Sequence, residues 1–294
     1  MASRPCRLAF AALMLFPLVL FPLVLFPLAA RAAELKVATW NLDWLTLRQA
    51  GDPDLPSDVT PRTPEDFDRL ARYARKLNPD VAALEEVDGY AAVEKLFPRQ
   101  DYSIHLTHDH VVQRVAIVVR RGLHYDVNPD LTGLAEHHLR SGADITLHLG
   151  DQELRILAVH LKKGCREVPV PRMRSRACRE LREQLGPLTA WIAARKQEGV
   201  PFLVLGDFNR WMDRSDTFLA ALDQAAPLVR ATAGRSSPCW GGESFIDHIL
   251  AGGPARDWMQ PATLRVMVYQ ETGREWQDRL SDHCPVSVRL VTPG

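Results

Sequence analysis

Five apolar runs in this chain meet short polar clusters, and a sixth contains one. The clusters are Asn41 with Asp43, Glu85 with Glu86, His160, Asp207 with Asn209, and Asp282 with His283 just before the last run; Asp247 and His248 lie inside the sixth. Carboxylates and amides with no cysteine among them form a hard oxygen site. Such a site suits Mg2+, Mn2+ or Ca2+ better than zinc. Histidines add groups that trade protons near neutral pH. A hard cation, histidine and aspartate together can direct water onto a phosphate ester.

Regular elements must hold these residues at their ends, where sites are usually built. Leu35–Trp40 alternates and is rich in β-formers, so it is a strand ending at Asn41. Residues 49–64, with glycine, prolines and Asp or Ser, form a loop. Thr63-Pro64-Glu65-Asp66 opens a helix with a capping hydroxyl, an early proline and first-turn acids. Phe67, Leu70, Tyr73, Ala74 and Leu77 follow at helical spacing until Asn78-Pro79 stops it. Val81–Leu84 reads as a short buried strand, and Ala91–Phe97 as a helix. Strands fit Ser103–Thr107, Arg114–Arg120, Ile145–Leu149 and Leu154–Val159. The longest helix spans Arg176–Lys196, with a bend expected at Gly186-Pro187. Phe202–Leu205 is a strand, Thr217–Leu222 a short helix, and Phe245–Leu250, Thr263–Tyr269 and Pro285–Leu290 the last strands. No linker divides residues 34–294, which predicts one mixed α/β domain.

The polar clusters resemble those of the endonuclease/exonuclease/phosphatase superfamily of metal-dependent phosphoesterases. The resemblance is carried by Thr39-Trp40-Asn41, Leu84-Glu85-Glu86-Val87, Val159-His160-Leu161, Gly206-Asp207-Phe208-Asn209, Ile246-Asp247-His248 and Ser281-Asp282-His283, in the family's order. It implies a four-layer α/β/β/α sandwich, with two mixed β-sheets packed face to face and helices outside. It implies a Mg2+ site, or Mn2+ or Ca2+, with Glu86 as the main metal carboxylate and Asn41, Asp43 and Asp282 close by. Asp207 then orients or deprotonates the water, and Asn209 holds the phosphate oxygens or the water. His283 contacts the scissile phosphate, oriented by Asp247, and His160 corresponds to the second histidine of the deoxyribonuclease and phosphatase branches. Glu85 departs from the pattern, since the family more often has glutamine there. An extra carboxylate beside Glu86 either raises a pKa or adds a metal contact.

Residues 1–32 read as a signal peptide, leaving 33–294 as the folded domain. Arg4 and Arg7 precede an uncharged run from Leu8 to Ala30, and Ala30-Arg31-Ala32 fits a cleavage site. The run is long enough to span a bilayer, so an uncleaved anchor is the alternative, although its prolines weaken a continuous helix. Cleavage removes three of 36 basic residues and none of 36 acidic ones, which leaves a net charge of −3. That balance excludes a strongly basic coat for nucleic acid. The expected location is periplasmic or secreted. The mature chain keeps Cys165, Cys178, Cys239 and Cys284, an even count that suggests disulfides in an exported protein, with three possible pairings. Cys165 and Cys178 bracket a proline-containing loop just after His160, which favours their pairing. Cys239–Cys284 follows as the remaining pair, on strands that the family fold would bring together.

The expected activity is hydrolysis of phosphodiester bonds, with nucleic acid as the leading substrate. The alternatives are a small-molecule or lipid-headgroup phosphoesterase, sphingomyelinase-like, and a non-catalytic binding module on the same fold. No stable protein partner is implied, and a monomer is expected. Lys162, Lys163 and Arg166 begin a basic stretch that continues to Arg182 and would form a phosphate-attracting rim. A membrane-seeking enzyme would want an exposed apolar loop, for which Trp258-Met259 is the candidate. His248 reads as structural, because neighbouring strand residues face opposite ways and Asp247 takes the inward place. His105, His108 and His110 read as a solvated loop, and Trp40 and Trp44 as core.

Overall fold

The computed structural model describes residues 34–293; the predicted signal peptide lies outside the described residues. In chain order the strands are β1 (Glu34–Leu45), β2 (Val81–Val87), β3 (Tyr102–Leu106), β4 (Arg114–Arg120), β5 (His124–Val127), β6 (Ala143–Leu149), β7 (Gln152–His160), β8 (Phe202–Asp207), β9 (Leu228–Arg230), β10 (Asp247–Gly252), β11 (Met259–Val266) and β12 (Val286–Val291). The helices are α1 (Pro64–Leu77), α2 (Tyr90–Leu96), α3 (Arg176–Glu198), α4 (Thr217–Ala225) and the short α5 (Ala255–Trp258) and α6 (Glu275–Arg279). Six strands form one sheet in the order β11-β12-β1-β2-β4-β3, and six form the other in the order β5-β6-β7-β8-β10-β9. Each sheet has one parallel pair at its centre, β1 with β2 and β7 with β8, while its other pairings are antiparallel. The expected sandwich of two mixed sheets is present.

Alternation decides the layers. Leu35 and Val37 of β1, Val81 and Ala83 of β2, Ile156 and Ala158 of β7, Leu203 and Leu205 of β8, and Ile249 and Ala251 of β10 share one apolar core between the sheets. The opposite parity of β1 and β2 packs under α1 and α2. That of β7 and β8 packs under α3. This gives the α/β/β/α order, since each sheet must bury both faces. Helix α1 starts with a capping box, in which Thr63 accepts from the Asp66 amide and the Asp66 side chain accepts from the Thr63 amide, and it ends at Asn78 in the left-handed region. Helix α3 runs as one element through Pro187.

Several predicted bounds move. Strand β11 begins four residues before Thr263 and stops at Val266, while β10 begins at Asp247. Strands β5 and β9 have no counterpart in the pattern reading. Their burial shows why: His124–Val127 and Leu228–Arg230 have no fully buried residue, so neither has an apolar period to detect.

Candidate active site

The inward rows that build the core turn polar at one end. On β1 the row Leu35, Val37, Thr39 continues to Asn41; on β2 the row Val81, Ala83 continues to Glu85. On β7 it reaches His160, on β8 Asp207, and on β10, running the other way, Asp247. Residues of one parity face one side of a sheet, so these five side chains enter the same inter-sheet layer. They lie at the carboxyl ends of the two parallel pairs, the end of a parallel sheet at which ligands usually bind.

Glu86 has the wrong parity, and the backbone corrects it. The β2–β4 register shifts between Glu85 and Val87, and Glu86 sits at φ 60°. The β1–β2 register shifts between Asn41 and Leu45, with Asp43 at φ 43° and Trp44 at φ 59°. Bulges of this kind re-aim side chains beside active sites. Arg62, buried in the loop before α1, holds the β1 irregularity: its guanidinium donates to the carbonyls of Leu42, Asp43 and Trp44 and to that of Leu280. One cation thereby ties Asp43 to the segment that carries Asp282 and His283.

Asp207 is the hub. Its Oδ2 accepts from Asn41 Nδ2 at 3.1 Å and Asn209 Nδ2 at 3.0 Å. The same oxygen lies 3.6 Å from His160 Nε2 and 3.7 Å from His283 Nε2. Asn209 also donates its amide N–H to Asp207 Oδ1 and its side chain to Leu161 O. His283 Nδ1 is 2.8 Å from Asp247 Oδ2, so the ring is oriented as the sequence reading expects. Ser281 bridges His283 N to Asn41 O, and Tyr269 bridges Trp40 Nε1 to His283 O.

On the metal side, Glu86 meets Asn41, and Asp43 and Asp282 lie close enough to feel its charge or each other's. Glu86 Oε1 lies 3.3 Å from Asn41 Nδ2 and 3.6 Å from His160 Nε2, and Gln113 donates to Oε2. Burial, with Asp282 and Glu86 nearby, pushes the Asp43 carboxyl up to about 7. Carboxylates crowded so that one resists ionisation are a donor set that a hard divalent cation would relieve. Asp43, Glu86 and Asp282 with the Asn41 amide are thus of the right chemistry for Mg2+, Mn2+ or Ca2+. The group whose ligand atoms already lie within 4.8 Å of one another among the described residues is instead Asp207, Asp247 and His283.

The two histidines do not both titrate in the useful range, contrary to the sequence reading. Burial holds His160 well below its ordinary pKa, and Arg140 adds to the effect. The Arg140 guanidinium lies 2.8 Å from His160 Nδ1 and 2.7 Å from Nε2 and can only donate, so its charge beside the ring favours the neutral imidazole. Burial works against charge on His283 too, but the Asp247 and Asp207 carboxylates outweigh it and raise its pKa well above the ordinary value. Asp207 itself is raised to about 7 by burial, partly offset by His283. The site thus pairs a neutral imidazole with an imidazolium across one carboxylate.

Arg140, Gln113 and Arg62 escaped the sequence reading. None is in a motif, and each lies in a loop or at a strand edge. Of the two roles the sequence leaves open for Glu85, the structure supports the raised pKa: it is fully buried with Oε1 accepting from Thr39 Oγ1 at 2.9 Å, and burial, then the Asp247 carboxylate, pushes its pKa well up. His248 is structural as expected, bonded to Thr232 Oγ1 and Arg210 O. The basic stretch is partly spent: Lys162 and Arg176 both pair with Glu180. Lys163 lines a cavity with Asp43, while the Arg166 side chain is exposed. His105 is buried in β3 beside Asp130 rather than solvated, because the strand turns it inward. Trp44 is not core like Trp40; it lines surface cavities beside Asp43. Trp258 and Met259 are buried in the inter-sheet core, so they form no exposed apolar loop.

Both predicted disulfides are present, Cys165–Cys178 and Cys239–Cys284. The first begins five residues after His160, and the second ends at the residue after His283. Trp240, beside Cys239, stacks on Tyr269 and donates to Ser281 O, so the second bridge belongs to the shell that seats His283.

A model of the Endonuclease/Exonuclease/phosphatase family matches residues 38–283. No curated protein matches the chain in sequence. Among solved structures, TDP2 from Caenorhabditis elegans superposes with a TM-score of 0.58 at 18% identity, over 88% of this chain and 75% of that one. The human nocturnin catalytic domain gives 0.57 at 16% identity, over 88% and 95%. The 3' phosphatase NExo from Neisseria, bound to a product DNA hairpin, gives 0.56 at 16% identity, over 87% and 99%.

Proposed function

Because the chain belongs to the Endonuclease/Exonuclease/phosphatase family and is by that membership a phosphoester hydrolase, we propose that it is a divalent-metal-dependent phosphodiesterase acting on nucleic acid. The observation that carries the reading is Asp207 Oδ2, within 3.7 Å of His160, His283, Asn41 and Asn209 side chains. A carboxylate with a pKa near 7 is matched to accept the proton of an attacking water at neutral pH. His283, charged and oriented by Asp247, stabilises the developing negative charge and gives its Nε2 proton to the leaving oxygen. His160, kept neutral by burial and then by Arg140, seats the guanidinium where it meets the non-bridging oxygens. When bound, a hard cation at Glu86, Asn41, Asp43 and Asp282 would neutralise phosphate charge. Structural neighbours that hold DNA products, NExo and a TDP2 from D. rerio, support a nucleic-acid substrate.

Two further readings belong with this one. The cystines support export to an oxidising compartment, as the signal-like N-terminus does; mass spectrometry of secreted protein beginning at Ala33 would test it. The buried Trp258-Met259 removes the feature that a lipid-headgroup enzyme would use to reach a membrane. The deciding assay presents duplex DNA, RNA, a bis-ester and a mono-ester, each with Mg2+, Mn2+, Ca2+ or chelator. Hydrolysis of nucleic acid that stops in chelator and in Glu86→Gln is expected. Hydrolysis that persists in chelator would sink the metal requirement, and preference for the mono-ester would sink the substrate.

A further inference from the structure

A cleft of about 560 Å³ opens off the metal side of the site. Gln113 and Arg140 line it and also touch Glu86 and His160, so a phosphate held at the site directs one of its ester substituents into this space. The volume suits one drug-sized unit and not a duplex.

The lining says what kind of unit. Trp44 is half-buried, belongs to none of the apolar core clusters, and makes no ring-stacking or cation–π contact among the described residues. It is held at φ 59°, which a bulky side chain adopts at a cost, and Arg62 fixes its carbonyl there. The conformation belongs to the β1 bulge, which turns the indole out of the core and onto the cleft wall. Around it stand His110 and His138, both exposed, and Arg114, one nitrogen of which donates to Asp88 O. The acids present are engaged: Asp54 and Asp88 with Arg48, and Asp109 with Ser141. Val111 and Val112 are the aliphatic lining residues, too little for a lipid chain.

We propose that this cleft is a one-nucleotide subsite in which Trp44 stacks on the nucleobase of the unit joined to the scissile phosphate. The inference rests on the phosphodiesterase reading above and narrows it: the ligand is a flat, hydrogen-bonding ring next to a phosphate. An indole face accepts any base, because every base has a π-face, while the imidazoles and guanidinium reach its polar edge.

Two dinucleotides test it, one with a base and one with an abasic sugar on the side that enters the cleft, each also built into an oligonucleotide. Wild-type kcat/KM should favour the base-bearing form by about 5- to 150-fold, the span of one aromatic–base stack. Trp44→Ala should bring that ratio toward one, and Trp44→Phe should keep most of it. Adenosine 5'-monophosphate should compete better than ribose 5-phosphate by a similar factor, and this comparison on wild type decides the matter if Trp44→Ala does not fold. A wild-type ratio near one, an unchanged ratio in Trp44→Ala, or tighter competition by phosphocholine than by the nucleotide overturns the subsite. If neither dinucleotide is cleaved but the nucleotide still outcompetes ribose 5-phosphate, the phosphodiesterase reading fails and the subsite stands.

Discussion

Glu85→Gln should stabilise the protein, and the gain should grow with pH. The Glu85 carboxyl is fully buried; Oε1 accepts from Thr39 and Oε2 has no partner. Burial, then the Asp247 carboxylate, raises its pKa well above the ordinary value, so in the fold it carries a proton. The unfolded chain releases that proton above the usual carboxylate range. Between those two limits the native state binds one more proton than the unfolded state, and stability falls by about 1.4 kcal/mol per pH unit. A glutamine has no proton to lose. Its amide occupies the same space and accepts from Thr39 equally well, and its two N–H donors replace the one unsatisfied hydroxyl of the neutral acid, an offset that does not change with pH. The two stability curves should therefore run parallel near pH 4 and diverge above it, in favour of the glutamine. For a domain of this size the divergence is about 3–5 °C in Tm per pH unit. Thermal unfolding of both proteins in chelator, from pH 4 upward, measures it; Asp43 and Asp207 contribute to both curves and largely cancel. Curves that stay parallel throughout would refute the reasoning, since they would mean that Glu85 is ionised in the fold.

Four other outcomes are expected. Asp247→Asn should lower kcat by about 10²–10⁴-fold, because His283 loses the carboxylate that orients and charges it; an effect confined to KM would argue against this role. The pH–rate profile should rise through about pH 7 as Asp207 deprotonates and fall at higher pH as His283 gives up its charge; a profile flat across pH 7 would remove Asp207 as the base. Arg140→Ala should let the His160 pKa move back up toward the ordinary imidazole value, read by NMR titration, with a loss of activity; an unmoved titration would count against the donor role of Arg140. Reduction of the Cys239–Cys284 bridge, which spans 45 residues, should destabilise by about 4 kcal/mol on the chain-entropy model, read as a drop in Tm.

Most of the site was legible because strand alternation continues unbroken from apolar to polar residues. Thr39 to Asn41, Leu205 to Asp207 and Ile249 to Asp247 keep the period, so a pattern reading finds them. Glu86 breaks the period, and only a bulge, absent from any pattern, returns it to the site. Glu85, on the regular parity, goes instead to the core, where its proton makes it a stand-in for the glutamine that the family more often has. Arg140 and Gln113 come from loops and strand edges, where neither period nor motif marks them, and their roles arise from contacts more than 19 residues distant in the chain. Charge state was also illegible: His160 and His283 are the same residue type, and only an arginine beside one and carboxylates beside the other separate them.

The two cystines bracket the chemistry in the same way, each close behind one of the two imidazoles. Cross-linking thus reaches both halves of the site, the loop after His160 through Cys165–Cys178 and the shell around His283 through Cys239–Cys284. Each staple therefore fixes the backbone next to one of the two imidazoles, Cys165 five residues after His160 and Cys284 directly after His283.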